Sequence, residues 1–256
     1  MTNLNSSGSA DDSDSSDRQT DRKPEDVSIS VFFPCYNEQD NVEDVVGQAV
    51  EVLEGLVSDW EIIIVDDGSA DETGQIADRL AEKDQRIRAV HHEVNGGYGM
   101  ALRSGFAAAR KEYVFYTDGD GQFDLNDLSK LLGLRRADVI VNGYRAKRQD
   151  KLIRKINSAC WAWLVKRMLK FRCRDVDSAF KLYPRELFEK IELKSAGALI
   201  DAEVLARAAR LGYEVVNVPV RHLPRQAGAA TGANIGVIFR AFKELMALRK
   251  DILSSR

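Results

Sequence analysis

The segment Tyr116-Thr117-Asp118-Gly119-Asp120-Gly121-Gln122 places two carboxylates one residue apart, directly after the strand-like run Glu112 to Thr117. Strand side chains alternate faces, so residues two apart point the same way. Asp118 and Asp120 can therefore aim at one point just past the end of that strand. Paired hard oxygen ligands suit Mg2+ or Mn2+, ions that usually keep positions open for substrate phosphates. The glycines at 119 and 121 let a diphosphate approach the backbone closely. Acids at strand ends also serve as turn and cap residues, so other parts of the chain must discriminate.

Asp66-Asp67-Gly68-Ser69-Ala70-Asp71-Glu72-Thr73 ends a second apolar run and opens a helix. Cap chemistry accounts for Asp71 and Thr73, with Ser69 or Asp71 as the N-cap. It leaves Asp66 or Asp67 available for ribose hydroxyls or a base edge. Asn95-Gly96-Gly97-Tyr98-Gly99 contains a Gly-x-Gly pair, but it follows the third strand rather than the first, so it is not a dinucleotide fingerprint. Such a loop can lie against a nucleotide or serve tight helix packing. Arg225, between Pro224 and Gly228, has the planar fork that suits phosphate, or is a solvated loop residue.

The elements that must position these residues alternate in type. Apolar strand-like runs cover Val27 to Phe33, Trp60 to Val65, Ile87 to His91, Glu112 to Thr117 and Asp138 to Asn142. Helical spacing covers Asp40 to Leu56, Asp71 to Glu82, Gly97 to Arg110 and Asp124 to Leu134, and a final helix runs from Ile235 to Leu253. A further strand-like run begins at Tyr213. This alternation predicts an α/β layered fold with a mainly parallel sheet. In such sheets ligands bind beyond the carboxyl ends of the strands. The clusters Pro34-Cys35-Tyr36-Asn37-Glu38, Asp66-Asp67-Gly68-Ser69 and Asp118-Gly119-Asp120 all fall there, on three different strands.

The formal net charge of -3 argues against a nucleic-acid binder built on overall charge. Residues 1–26 are rich in Ser and Asp and read as a disordered acidic tail without an apolar signal region. Cys35, Cys160 and Cys173 have no metal-type spacing, and a reducing cytoplasm is the simplest setting. No run approaches the roughly 20 apolar residues of a membrane span. Residues 151–174 nevertheless hold eight Lys or Arg and no acid, interleaved with Trp161, Trp163, Leu164, Met168, Leu169 and Phe171. That composition fits an interfacial segment drawn to anionic headgroups, or an amphipathic helix with its Trp residues in the core. The final helix could extend the same surface, pair with another subunit to form a homo-oligomer, or pack on its own core.

In sequence order, these motifs resemble the family 2 glycosyltransferases, with Asp175-Val176-Asp177-Ser178-Ala179-Phe180-Lys181 and Val218-Pro219-Val220-Arg221-His222 adding to the match. The resemblance runs from about Val27 to about Gly232 and looks closest to the dolichyl- and polyprenyl-phosphate branch. It implies a GT-A (Rossmann-like) fold with a nucleotide-sugar half at about 27–142, an acceptor half of helical character at about 143–232, and a C-terminal amphipathic helix at 233–256. It implies that Pro34, Tyr36, Asn37, Glu38, Asp66, Asp67, Gly97, Asp118 and Gly119 contact the donor, with Asp118, Asp120 and Gln122 holding Mg2+ or Mn2+. It implies that Arg145, Arg174, Ser178, Lys181 and Arg225 face an acceptor phosphate, and that Asp120, Arg145 and Arg225 carry catalysis. Lys181 stands where the family usually has Arg, Ala179 replaces a usual Gly, and Ala230 or Thr231 stands near a usual Ser. The chain lacks the Gln-x-x-Arg-Trp pattern of processive synthases and the spanning helices many branch members append.

The activity so implied is inverting transfer of one sugar from GDP-mannose, UDP-glucose or UDP-GlcNAc to a lipid phosphate, peripheral on the cytoplasmic membrane face. A phosphate acceptor is already anionic and needs no strong base. An acceptor hydroxyl on a glycan or small molecule would need one, and Asp201 or Glu203 would be the candidates. A non-catalytic nucleotide-binding module and a nucleotidyltransferase are the remaining readings. The intact acid pair opposes the first, and the lack of a Gly-rich, Lys/Arg-bearing loop after the first strand opposes the second.

Overall fold

The structure is a computed structural model and describes residues 26–145, 152–223 and 235–254. The acidic residues 1–25, Arg225, Ala230 and Thr231 lie outside the described residues, as does the 232/233 boundary.

The first half alternates β1 (Ser28–Cys35), α1 (Val42–Leu56), β2 (Asp59–Asp66), α2 (Thr73–Lys83), β3 (Ile87–His91), α3 (Tyr98–Ala108) and β4 (Tyr113–Thr117). A 3-10 turn (Leu125–Asp127) and the short α4 (Leu128–Leu132) lead to β5 (Val139–Arg145). Then follow α5 (Leu152–Leu169), β6 (Phe180–Pro184), α6 (Leu187–Lys190), α7 (Ile200–Arg210), β7 (Glu214–Val220) and α8 (Ile235–Ser254). Every residue of β4 and β6 is buried, as is nearly all of β1 and β2. That fits strands covered on both faces. In α1 the buried residues Val42, Val45, Val46, Ala49 and Leu53 form one stripe.

The strands form one sheet in the order β3-β2-β1-β4-β6-β5-β7. Strand β6 is antiparallel to both neighbours, and the remaining pairs are parallel. All strands except β6 therefore end at the same edge of the sheet, and β6 begins there. The segment Asp175 to Ala179 that enters β6 is thus brought to the edge where Asp118 leaves β4, with Thr117 opposite Phe180.

The predicted α/β class, and all six runs read as strands, are present. Two features differ from expectation. The segment after residue 143 is not simply helical, because β6 and β7 complete the same sheet, and β5 itself crosses the expected 142/143 division. The expected helix Asp124 to Leu134 shrinks to a 3-10 turn and five helical residues, with Asp124 accepting from the Asn126 N–H at its start.

Aromatic packing fixes how α3 sits on the sheet. The Phe106 ring meets Phe32, Tyr116 and Tyr183 edge-on at 5.0, 5.8 and 5.6 Å between centroids. Gly105 permits this approach, since a Cβ there would lie 2.2 Å from the Phe32 ring.

Candidate active site

The loop after β1 and the loop after β2 are stitched together residue by residue. Asn37 donates its N–H to Ser69 Oγ (3.0 Å) and accepts at Oδ1 from the Ala70 N–H (2.9 Å). Glu38 donates its N–H to Thr73 Oγ1 (2.9 Å), and Glu72 donates to Gln39 Oε1 (3.0 Å). Asn37 adopts φ 55, within the left-handed region that Asn tolerates. Its side-chain oxygen therefore helps join the two loops, while the residue itself stays exposed. Ser69 serves the same seam. Asp71 accepts from the Thr73 N–H at 3.0 Å in the turn before α2, whose N-cap is Glu72 rather than the expected Ser69 or Asp71. Pro34 is buried within β1, Glu38 accepts from Asn41 Nδ2 (2.6 Å), and Tyr36 projects from the surface at 48 % exposure.

The two acids after β2 have different tasks, and both meet consecutive histidines at the end of β3. Asp66 accepts from the Ser69 N–H at Oδ1 (3.0 Å) and meets His91 Nδ1 at Oδ2 (3.1 Å). Burial alone would raise its pKa, but hydrogen bonds from Ser69 and His91 outweigh that and hold it below the usual carboxylate range. His91 also touches Asp78 at 3.0 Å. Asp67 accepts from the Gly96 and Gly97 N–H groups (2.9 and 2.8 Å) and meets His92 at 2.6 Å. It is buried and fully engaged, so it pins the glycine loop rather than facing a donor. That corrects the ligand role expected of Asp67. Sequence reading missed the two histidines, although the register Asp66 opposite His91 follows from strand pairing.

The glycines of that loop answer to packing. Gly97 has φ 88, and a Cβ on Gly99 would lie 2.5 Å from the Ala196 carbonyl carbon. Gly99 donates its N–H to Ala196 O at 3.0 Å. Close helix packing, one of the two expected readings, is what these positions require.

Asp118 and Asp120 follow β4 at the shared edge. Asp118 accepts at Oδ1 from the Tyr98 hydroxyl (3.2 Å), and Asp120 accepts from the Gln122 N–H (3.1 Å). Burial, and then the neighbouring charges of Asp120 and Asp201, push the Asp118 carboxyl up to about 7. Gly119 lets the chain pass Cys35, since a Cβ would sit 2.8 Å from its Sγ. Burial pushes the Cys35 thiol far up, which removes it as a nucleophile. Leu223 donates its N–H to Gln122 O (2.7 Å), and Phe123 bridges to His222. The exit of β7 is thereby fastened beside the acid pair.

The acid pair fits a divalent ion. Asp118 and Asp120 stand near enough for the Asp120 charge to add to the effect of burial in raising Asp118. Among the described residues no group of three His, Cys, Asp or Glu could hold a metal. A divalent ion at the acid pair would therefore need further ligands, such as substrate phosphates.

Beneath Asp118 lies a buried polar cluster. Lys181 is fully buried and donates to Asp201 Oδ1 (2.8 Å), to Tyr116 Oη (3.2 Å) and to the Ser178 carbonyl. Tyr116 donates to Asp201 as well. This corrects the expectation that Lys181 faces an acceptor phosphate, since its ammonium is neutralised inside the core. It also corrects the candidate bases. Asp201 is held by Lys181 and Tyr116. Glu203 is wholly buried, accepting from the Lys194 and Ser195 N–H groups (3.0 and 2.7 Å) and from Arg207 Nε (2.9 Å).

Of the other residues expected to face an acceptor, Arg145, Arg174 and Ser178 lie toward the same edge. Arg145, the last residue of β5, grips Asp175 through both Nε (2.8 Å) and a terminal nitrogen (2.9 Å). Arg174 is exposed and lies over the Tyr144 ring at 3.9 Å. Ser178 Oγ is buried without a hydrogen-bond partner among the described residues.

Residues 30–192 match the profile described as Glycosyl transferase family 2. Over 225 residues the chain is 35% identical to Glycosyltransferase AglD of Haloferax volcanii, covering 81% of this chain and 36% of that protein. It is 30% identical over 225 residues to polyprenol monophosphomannose synthase of Mycolicibacterium smegmatis, covering 80% of this chain and 82% of that one. The chain thus spans about a third of the first relative's length and most of the second's. Glucosyl-3-phosphoglycerate synthase from Mycobacterium tuberculosis, in complex with Mn2+, UDP and glucosyl-3-phosphoglycerate, superposes with a TM-score of 0.60 at 22% identity, over 88% of this chain and 80% of that one. A mannosyltransferase from Pyrobaculum calidifontis in complex with GDP-Man and Mn2+ gives 0.59 at 19% identity, over 89% and 62%. These likenesses identify the fold as GT-A. With the profile covering more than half of its length, the chain belongs to glycosyl transferase family 2.

Proposed function

We propose that this chain transfers a single sugar from a nucleotide-sugar to a polyprenyl or dolichyl phosphate, with inversion at the anomeric carbon. GDP-mannose, UDP-glucose and UDP-GlcNAc all fit the donor side. The observation that carries this reading is the Asp118/Asp120 pair at the carboxyl edge, where burial and then the charges of Asp120 and Asp201 raise Asp118 to about 7. Asp118, Asp120 and Gln122 would hold Mg2+ or Mn2+, which supplies charge neutralisation at the departing diphosphate. Tyr36 and Asp66 lie at the ends of the neighbouring strands β1 and β2, on the donor side.

The acceptor side is reached across β6. Arg145 and Arg174 would orient the acceptor phosphate and offset its repulsion from the donor. Arg145 is already held in a fork by Asp175, and an incoming phosphate would share or replace that carboxylate. Arg225 would join them. The acceptor arrives ionised, so no side chain need remove a proton. The engagement of Asp201 and Glu203 in buried pairs supports this choice over a hydroxyl acceptor. The relative from Mycolicibacterium smegmatis, named for polyprenol monophosphomannose synthesis, supports it as well.

The basic segment 151–174 would bring the site to the bilayer. Among the described residues no helix is long and apolar enough to cross a membrane. The direct test is incubation with labelled nucleotide-sugars, polyprenyl phosphate and Mg2+ or Mn2+. A labelled, lipid-extractable product is expected, and its absence with every common donor refutes the reading.

A further inference from the structure

We infer that Tyr98 is a positioning residue for the metal-binding acid pair, acting through Asp118. The assignment rests on the metal-binding reading of Asp118 and Asp120.

Tyr98 is the first residue of α3, and its place is fixed from both sides. Asp67 holds the preceding Gly96 and Gly97 N–H groups, and the following Gly99 N–H is bonded to Ala196 O. From this anchored start the ring crosses to the end of β4, where its hydroxyl meets Asp118 Oδ1 at 3.2 Å. One Asp118 oxygen is thus held by a hydroxyl whose own residue is anchored on both sides. Among the described residues no hydrogen bond takes the other oxygen, Oδ2. A carboxylate held by one oxygen presents the other in a fixed direction, which is how outer partners orient metal ligands.

Packing does not explain the hydroxyl. The residue is 36% exposed, and Phe in its place would keep the ring and remove only the phenol oxygen. The phenol oxygen adds the bond to Asp118. The glycine loop thereby acquires a part in metal binding that its own backbone does not supply.

Tyr98→Phe in the full chain tests this by Mn2+ titration, read by electron paramagnetic resonance with and without UDP or GDP. Melting in EDTA is measured in parallel. Mn2+ affinity should fall by about tenfold or more, the usual effect of losing an outer partner. The melting midpoint in EDTA should stay unchanged. In turnover, the Mn2+ concentration giving half-maximal rate should rise while the rate at saturating metal is largely kept. Equal Mn2+ affinity in the two proteins overturns the assignment, and so does a lowered midpoint in EDTA, which would make Tyr98 a structural residue. If the wild-type chain binds Mn2+ but forms no lipid-linked sugar, the transfer reaction fails and the Tyr98 comparison still stands. No binding of either Mn2+ or Mg2+ by the wild-type chain, with or without nucleotide, would remove both.

Discussion

At the residue scale, the acid pair carries a pH signature. An isolated Asp loses its proton near 3.9, whereas Asp118 keeps its own up to about 7. The metal-free fold therefore binds this proton more tightly than the unfolded chain does. Its contribution makes the metal-free protein less stable as pH rises from about 4 to about 7. A divalent ion must displace the proton, so Mn2+ affinity should rise between about pH 6 and pH 8, with proton uptake by buffer near pH 6. Calorimetry in buffers of different ionisation enthalpy reads this, and a flat affinity would mean Asp118 is already ionised. Asp120→Ala should abolish any metal-dependent thermal shift with a nucleotide-sugar; an unchanged shift would place the metal elsewhere. Lys181 gives a stability prediction. Lys181→Met leaves Asp201 buried without its cation and should cost about 3–5 kcal/mol in denaturant unfolding. A loss under about 1 kcal/mol would show that the pair contributes little. The motif around Asp118 was legible from residue type and spacing alone. The role of Lys181 was not, because a lysine's charge says nothing of whether Asp201, 20 residues later, will fold onto it.

At the element scale, one carboxylate clamps the amino end of the sheet. Glu61 on β2 accepts from Ser30 on β1 (2.6 Å), from Arg88 on β3 (2.9 Å) and from the Arg110 N–H after α3 (2.8 Å). Burial raises its pKa, but Ser30, Arg110 and Arg88 outweigh that and hold it below the ordinary value. A depressed carboxyl contributes stability above the unfolded pKa of about 4.3 and loses it as pH falls through the folded value. Glu61→Gln should therefore shrink the acid-side loss of stability in urea titrations between about pH 5 and pH 3. An unaltered pH slope would assign the acid limb to other groups. Gly105→Ala drives a methyl into the Phe32 ring and should cost about 1–3 kcal/mol, read by the same unfolding measurement. Helix α1 and strands β1 to β5 were legible because their apolar periodicity is local. Strand β6 and helix α7 were not. Lys181 breaks the apolar run of β6, and Asp201, Glu203 and Arg207 interrupt the pattern of α7, yet all four are buried through mutual pairing.

At the scale of the whole molecule, the proposed membrane contact asks a chain of net charge -3 to meet an anionic surface through one basic segment. Helix α5 divides its aromatic residues: Trp161 packs against the core with Val165 and Leu169, while Trp163 is 65% exposed. Arg167, Lys170, Arg172 and Arg174 are exposed in the same basic segment. On α8, Leu245, Leu248 and Ile252 are buried, and Phe242, Met246, Arg249 and Lys250 face outward. Trp161 thus follows the core-packing reading, while Trp163 stays exposed on the same helix. Binding to vesicles containing phosphatidylserine should be measurable at low salt and weaken as ionic strength rises. Trp163→Ser should reduce it, and equal binding to neutral vesicles would exclude headgroup attraction as the cause.

By itself the sequence determined the α/β class, the strand-end placement of the donor motifs and the acid pair, because each depends on residues close together in the chain. Only the tertiary structure decided which polar residues are free to meet a ligand and which are consumed by the fold. Asp67, Lys181, Asp201 and Glu203 all looked available in sequence. Each is engaged across a gap of eight or more residues, through hydrogen bonds or ion pairs that exist only once the chain has closed. Buried polar groups must find partners, and local sequence does not say which partners folding will deliver.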